Sequence, residues 1–159
     1  MPEASSIPAS EPSRNPAVTY QHTQWGHWTL VVLFVLAAVI AVIARSVAIF
    51  GVQCLIMAIA FSFVGGLTTT IDDGVVQVRF GPIGVIRGRF ALAEITAARV
   101  VRNSPVSGWG IRYIPHGQLW NVWGLDAVEL QLKDGTRFRI GTDEPRELLL
   151  ALRQAGVNA

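Results

Sequence analysis

From Trp28 to Gly66 the chain is apolar almost without a break. WTLVVLFVLAAVIAVIA is followed by Arg45-Ser46 and then by VAIFGVQCLIMAIAFSFVGG, with Arg45 the one charge in the stretch. A helix that spans a bilayer takes about 20 mostly apolar residues at roughly 1.5 Å of rise each, so the stretch supplies two such lengths back to back. It predicts a two-helix transmembrane hairpin over 28–66, with its turn within 45–51. Arg45-Ser46 is the polar break, and Phe50-Gly51 is a second place for the turn. Either choice puts Arg45 near a helix end, where its long stem reaches the headgroups; at mid-bilayer the charge would cost a few kcal/mol. Trp25 and Trp28 stand where the chain would enter the bilayer, the depth that amphipathic rings favour. Trp25, Trp28 and Arg45 are therefore the expected membrane-interface residues. Ala37, Ala41 and Ala44 on one helix and Ala58, Ser62 and Gly66 on the other form small-residue faces, which pack against each other or mediate self-association.

The chain has 159 residues, of which 51% are apolar and only 15% charged, whereas about a quarter is usual for charged residues. The excess sits in the hairpin. What remains is an N-terminal tail, 1–27, and a C-terminal part long enough for one small domain with its own core. The tail begins MPEASSIPASEPSRNPAVTYQHTQ, a Pro- and Ser-rich composition that predicts disorder. It lacks the early basic residues and short apolar core of a secretory signal, so the hairpin is expected to be retained. His22 and His27 have no metal-ligand spacing and read as surface residues. The single cysteine, Cys54, lies in the second apolar run, which leaves no intramolecular disulfide or thiolate cluster and makes it a small apolar helix residue. Two spans put both ends on one side. The flanks carry Arg14, Arg79, Arg87 and Arg89 against Arg45 alone in the turn, so the positive-inside rule puts both termini and the domain in the cytoplasm. The expected location is the plasma membrane, multi-pass, with the lipid bilayer as integral partner.

After Gly66 the continuous apolar run gives way to alternation punctuated by turn residues, the pattern of a β domain over 67–156. LTTTI, Asp72-Asp73-Gly74 and VVQVRF make a hairpin, and AVELQL, Lys133-Asp134-Gly135 and TRFRIG make another; Asp-Gly pairs supply the positive φ of tight turns. Between them lie IGVIRGRF, then TAARVVRN after LAEI, a strand at 109–114, a turn at 115–117 and a short strand at 118–123. The last element reads as a helix over 143–155. Thr142 or Asp143 caps it, acids and Pro145 fill the first turn, and Gly156 follows its end. Leu148, Leu149, Leu152 and Ala155 form its apolar face.

The DDGVVQVRFGPIG opening, the LAEIT step, the GWGIR segment and AVELQLKDGTRFRIGTDEP leading into the terminal helix resemble the bacterial pleckstrin-homology-like membrane proteins, over about 28–155. The resemblance implies a mainly-β, PH-like seven-stranded barrel or sandwich closed by a C-terminal helix, carried on a membrane hairpin and facing the cytoplasm.

Catalytic patterns do not emerge. His116 sits alone at a turn tip between Pro115 and Gly117, GPIGVIRG lacks the lysine and helix start of a phosphate loop, and Ser104 and Ser107 flank Pro105 without a nucleophile-elbow pattern. Asp72 with Asp73 is explained by its turn, and Asp126 with Glu129 by strand faces meeting solvent. No catalytic, cofactor or metal site is expected. Charge is unevenly spread, however. Between Gly74 and Leu125 six arginines meet the single acid Glu94, while from Asp126 onward five bases meet six acids. Near an anionic leaflet each Arg contributes about 1 kcal/mol. The residues expected to contact lipid or a partner are Arg79, Arg87, Arg89 and Arg112 with the aromatic Trp109 and Trp120. Nucleic acid is not expected, since no stacking motif or basic helix accompanies the arginines. The function expected from these features is a membrane-tethered, non-enzymatic PH-like interaction or scaffold domain that binds a membrane protein partner or itself. The alternatives are an anionic lipid-headgroup sensor and a membrane-associated enzyme or enzyme subunit.

Overall fold

A computed structural model describes residues 20–105 and 109–158, apart from the side chains of Thr29 and Val64. The first 19 residues, with Arg14, and Ser107 lie outside the described residues.

The helices are held between two strands. Strand β1 (Tyr20–Trp25) pairs antiparallel with β2 (Gly66–Asp72), from Tyr20 opposite Ile71 to Trp25 opposite Gly66. The two helices between them, α1 (His27–Ala44) and α2 (Val47–Val64), are thus an excursion from one strand ladder. Gly26 N–H donates to Gly65 O at 3.0 Å, and the Thr23 and Thr68 hydroxyls meet at 2.9 Å. β1 lies inside the segment expected to be disordered. Its Tyr, Thr and Trp suit a pleated surface, and the partner LTTTI offers the same; the Pro- and Ser-rich composition ahead of it conceals six residues that have a strand to join.

Of the two possible turns, the chain uses Arg45-Ser46. Arg45 takes a left-handed conformation, φ 48°, and Ser46 Oγ accepts the Ile49 N–H at 3.4 Å to cap α2. Phe34 and Phe50 pack edge to face across the pair, with centroids 5.8 Å apart, and Ala37 is buried.

The expectation of membrane spans is corrected here. α1 and α2 have 18 residues each, roughly 27 Å at about 1.5 Å per residue, against a hydrocarbon core of about 30 Å. Among the described residues no helix is long and apolar enough to cross a membrane. The multi-pass location, the cytoplasmic placement of both termini and the integral bilayer partnership rested on those spans and fall with them. The helices are nonetheless apolar around their circumference, with Ile43 77% and Val47 87% exposed. Surface of that kind is normally covered by other apolar matter.

The β part also differs from expectation. Strands β3 (Val75–Phe80) and β4 (Arg87–Ala91) complete a four-stranded sheet ordered β1-β2-β3-β4. Asp73 and Gly74, with φ 46° and 76°, form the two-residue turn between β2 and β3, the doubly positive geometry that matches strand twist. The second sheet contains β5 (Ile95–Arg102), β6 (Gly110–Ile114), β7 (Gly117–Asn121), β8 (Asp126–Leu132) and β9 (Arg137–Gly141), in the order β5-β8-β9-β7-β6. Among the described residues nine strands in two sheets replace the expected seven, and the barrel is not closed. No ladder joins the sheets among the described residues, so β4 ends one and β6 ends the other. One pair, β7 with β9, is parallel. It needs Gly117, because a Cβ there would run into the Arg137 backbone carbonyl.

Both sheets and the final helix α3 (Pro145–Gln154) share one core. Period-two alternation turns Leu67, Val78 and Phe80 of the first sheet toward Val128, Leu130 and Ile140 of the second. Leu148, Ala151 and Leu152 of α3 pack onto the same cluster. Thr142 Oγ1 accepts the Glu144 N–H at 3.0 Å just ahead of Pro145, and Gly156, at φ 92°, follows the helix.

Because Leu130 is fully buried and Ile43 is not, Leu130→Ala should lower unfolding stability by about 3 kcal/mol. Ile43→Ala should change it by under about 0.5 kcal/mol. Denaturant midpoints of the two full-length variants check this; equal losses would place the stabilising core elsewhere.

Candidate functional site

Register decides where the arginines go. Arg79 lies opposite Arg87 across β3–β4, and Arg89 lies two residues further on, opposite Gln77. Since Val78 and Phe80 fill the core, these three arginines share the outward face of the first sheet. Like charges directly opposite repel, and among the described residues none of the three has an acidic partner. Arg112 belongs to the other side of the molecule. It starts a row that crosses the whole second sheet, Arg112–Leu119–Arg139–Glu129–Arg99. The basic half of the sequence therefore forms two separate faces.

In that row sits a group that sequence reasoning missed. Glu129, read as meeting solvent, is 3% exposed. Its Oε1 accepts Arg99 Nη2 at 2.6 Å and Nε at 3.0 Å, its Oε2 accepts Arg139 Nε at 2.7 Å, and Arg139 Nη1 donates to Asn103 Oδ1 at 3.2 Å. Burial pushes the carboxyl pKa up, but the hydrogen bonds and charges of Arg139 and Arg99 outweigh it and hold the group below the usual carboxylate range. A sequence signal exists in Glu129 as an acid at mid-strand between Val128 and Leu130, but its partners lie on two other strands and only the register brings them together.

The aromatic residues divide. Trp120 is core: its ring centroid lies 5.4 Å from that of Phe80 and 5.2 Å from that of Phe138, and Nε1 donates to Gln118 Oε1 at 3.2 Å. Trp109 is 49% exposed and stacks on Trp123 with centroids 4.8 Å apart. Arg112 Nε donates to the Trp109 carbonyl at 3.2 Å, and Tyr113 is 86% exposed. Where the sandwich fails to close, between β4 and β6, a cleft of about 590 Å³ opens onto Phe90, Trp120 and Phe138, with Arg89, Tyr113 and Arg137 at its lips. A second cavity, about 280 Å³, lies at the foot of the helices against Leu33, Met57, Phe61, Phe80 and Trp109. Trp25 stacks on Phe61 with centroids 6.2 Å apart beside it, whereas Trp28 is exposed and Arg45 stands at the far tip of the helices. The predicted contact residues are thus spread: Trp109 and Arg112 adjoin, Trp120 lines the cleft with Arg89 at its lip, and Arg79 and Arg87 share the outward face of the first sheet with Arg89.

His22 is held against α3, its Nε2 2.7 Å from Asp143 Oδ1 and its Nδ1 3.1 Å from Glu144 Oε2. Burial, followed by the charges of Glu144, Glu147 and Asp143, pushes the neighbouring Tyr20 hydroxyl pKa up. Among the described residues no group of three or more His, Cys, Asp or Glu is placed to hold a metal ion.

Comparison with protein-family models, with curated proteins and with solved structures finds no match.

The depressed Glu129 pKa fixes a pH signature. Its ionised form contributes stability that is fully present above the ordinary carboxyl pKa of about 4.3 and is lost as pH falls through the lower folded value. Glu129→Gln should destabilise by about 2 kcal/mol at neutral pH. That is below the 3–5 kcal/mol of a fully buried pair, because the Arg99 side chain is 65% exposed. The gap between variant and parent in urea midpoint should close below about pH 4; a gap independent of pH would show that the carboxylate charge is not the source.

Proposed function

We propose that this chain is a non-enzymatic interaction module that binds a protein partner along β6. The observation that supports it is the open edge of the second sheet: among the described residues β6 has no neighbour on its far side, and Ile111, Arg112 and Tyr113 are all exposed beside Trp109. Trp, Tyr and Arg are the residues that most often dominate binding energy at protein interfaces, and rigid aromatic surface is ordered at little entropic cost. The groups gathered here grip by stacking, apolar contact and charge. A resemblance to the bacterial PH-like proteins is compatible with a binding role and adds no residue to the surface.

A photo-cross-linking residue at position 113 of the full-length chain, in its native cells, should form an adduct with one specific protein. The same residue at position 73, in the β2–β3 turn, should not. Adding Trp109→Ala should cut the yield at least fivefold. Adducts with lipid alone, or none from position 113, would overturn the reading.

A second reading has its own support, since Arg79, Arg87 and Arg89 share one outward face without an acid among the described residues. If that face senses anionic headgroups, full-length chain should bind phosphatidylglycerol vesicles in a salt-sensitive way. Arg87→Gln with Arg89→Gln should then cost about 2 kcal/mol, roughly thirtyfold in affinity. Unchanged binding would reject this reading.

A further inference from the structure

We infer that β6 receives an extended acidic peptide of a partner protein as an added strand, with alternate apolar side chains entering the cleft between β4 and β6. This rests on the protein-binding reading above and names its mode. The backbone carries the first part of the argument. Arg137 N–H donates to the His116 carbonyl at 2.7 Å, so the even-numbered positions 116, 118 and 120 turn their backbone groups toward β9. Gly117, Leu119 and Asn121 therefore bond to their β6 partners Ile114, Arg112 and Gly110. That leaves the N–H and C=O of Ile111 and Tyr113 directed at the open edge. Among the described residues no backbone group pairs with them. β6 is five residues long, about 17 Å at roughly 3.4 Å per residue, which matches a peptide of five or six residues.

Side-chain alternation gives the peptide's pattern. Ile111 and Tyr113 lie opposite Trp120 and Gln118 and so look inward, with Tyr113 lining the cleft, whereas Arg112 looks outward. A strand paired with β6 follows the same alternation. Its residues opposite Ile111 and Tyr113 would drop into the opening above Phe90, and the residue between them would meet the Arg112 guanidinium. Arg89 and Arg137 stand at the lips of the cleft, and neither they nor Arg112 has an acidic partner among the described residues, unlike Arg99 and Arg139, which share Glu129. Charge complementarity therefore selects acids at the outward positions. It also disfavours a second copy of this chain, since β6 pairing with itself would bring Arg112 toward Arg112.

The test uses full-length protein in mild detergent and fluorescence anisotropy with a labelled hexapeptide, Leu-Asp-Val-Asp-Leu-Asp. A peptide of the same composition with its acids grouped at one end serves as control. Tyr113→Pro removes an edge N–H that takes no part in the β6–β7 ladder, so it should leave the unfolding midpoint near the parent value and weaken the alternating peptide at least tenfold. Tyr113→Thr keeps the N–H and should lose no more than about threefold. Arg112→Glu should weaken the acidic peptide at least tenfold and bind the Leu-Lys-Val-Lys-Leu-Lys peptide instead. If Tyr113→Pro is unfolded, the charge exchange at Arg112 decides alone. Equal binding by the Pro and Thr variants, equal binding of the grouped-acid peptide, or no charge exchange would overturn strand addition. A position-113 adduct that persists in that case leaves the protein-binding reading standing; loss of both removes both.

Discussion

The ladder between β1 and β2 is the contact on which the arrangement depends. Its six residue pairs run from Tyr20 and Ile71 to Trp25 and Gly66, and the helices leave and return at its end through the Gly26–Gly65 bond. Without it α1 and α2 would be joined to the sandwich only through α2 and β2. With it both ends of the helical excursion are clamped to one strand pair whose inward side chains, Leu67 and Ile71, belong to the core. Each bond adds only about 1 kcal/mol net, yet the set couples helix orientation to sandwich integrity. Gly81 shows how close the joint is: its N–H donates to Gly66 O at 2.7 Å, and a Cβ at this left-handed position would collide with the Ser62 carbonyl at the end of α2.

That clamp fixes where the uncovered surfaces lie. The helices are apolar on every side, and β6 exposes Ile111 and Tyr113 at the edge of the second sheet. They differ in kind. The helix surface is aliphatic and lacks charge except at Arg45, so it offers area without direction. The β6 edge combines unpaired backbone groups, an aromatic stack and guanidinium groups, all of which recognise by geometry. In the proposed binding mode specificity would come from the second surface, because hydrogen bonds and charges discriminate between partners whereas aliphatic contact mainly excludes water.

Local features were legible in the sequence because local chemistry dictates them. Arg45-Ser46 breaks an apolar run, Asp73-Gly74 supplies two positive φ angles, and Pro145 and Gly156 bracket α3. The apolar length of 28–66 was equally plain, but a sum of hydropathy reports composition and not the extent of helix that can cross a bilayer. β1 was hidden because a strand of mixed polarity is defined by its partner, which lies beyond both helices. The parallel β7–β9 pair and the open barrel were hidden for the same reason: alternation gives faces, not neighbours. So too the division of the arginines into two faces, and of the tryptophans into the buried Trp120 and the stacked Trp109–Trp123, depends on pairings that no local pattern contains.

The ion triad around Glu129 illustrates what such pairings select. Two charges withdrawn from water recover little net stability, since desolvation offsets most of their attraction. Their value lies in what they forbid. Strands β5, β8 and β9 are held by alternation, and a slip of one residue in β8 would turn Glu129 inward, to the face now filled by Val128 and Leu130. An unpaired carboxylate in that core would cost several kcal/mol. Aliphatic residues at 99, 129 and 139 would pack on either face and leave the slipped register within reach. Arg99, Glu129 and Arg139 tolerate only the observed one, and because β7 lies against β9, that register also sets how β7 presents β6 at the open edge.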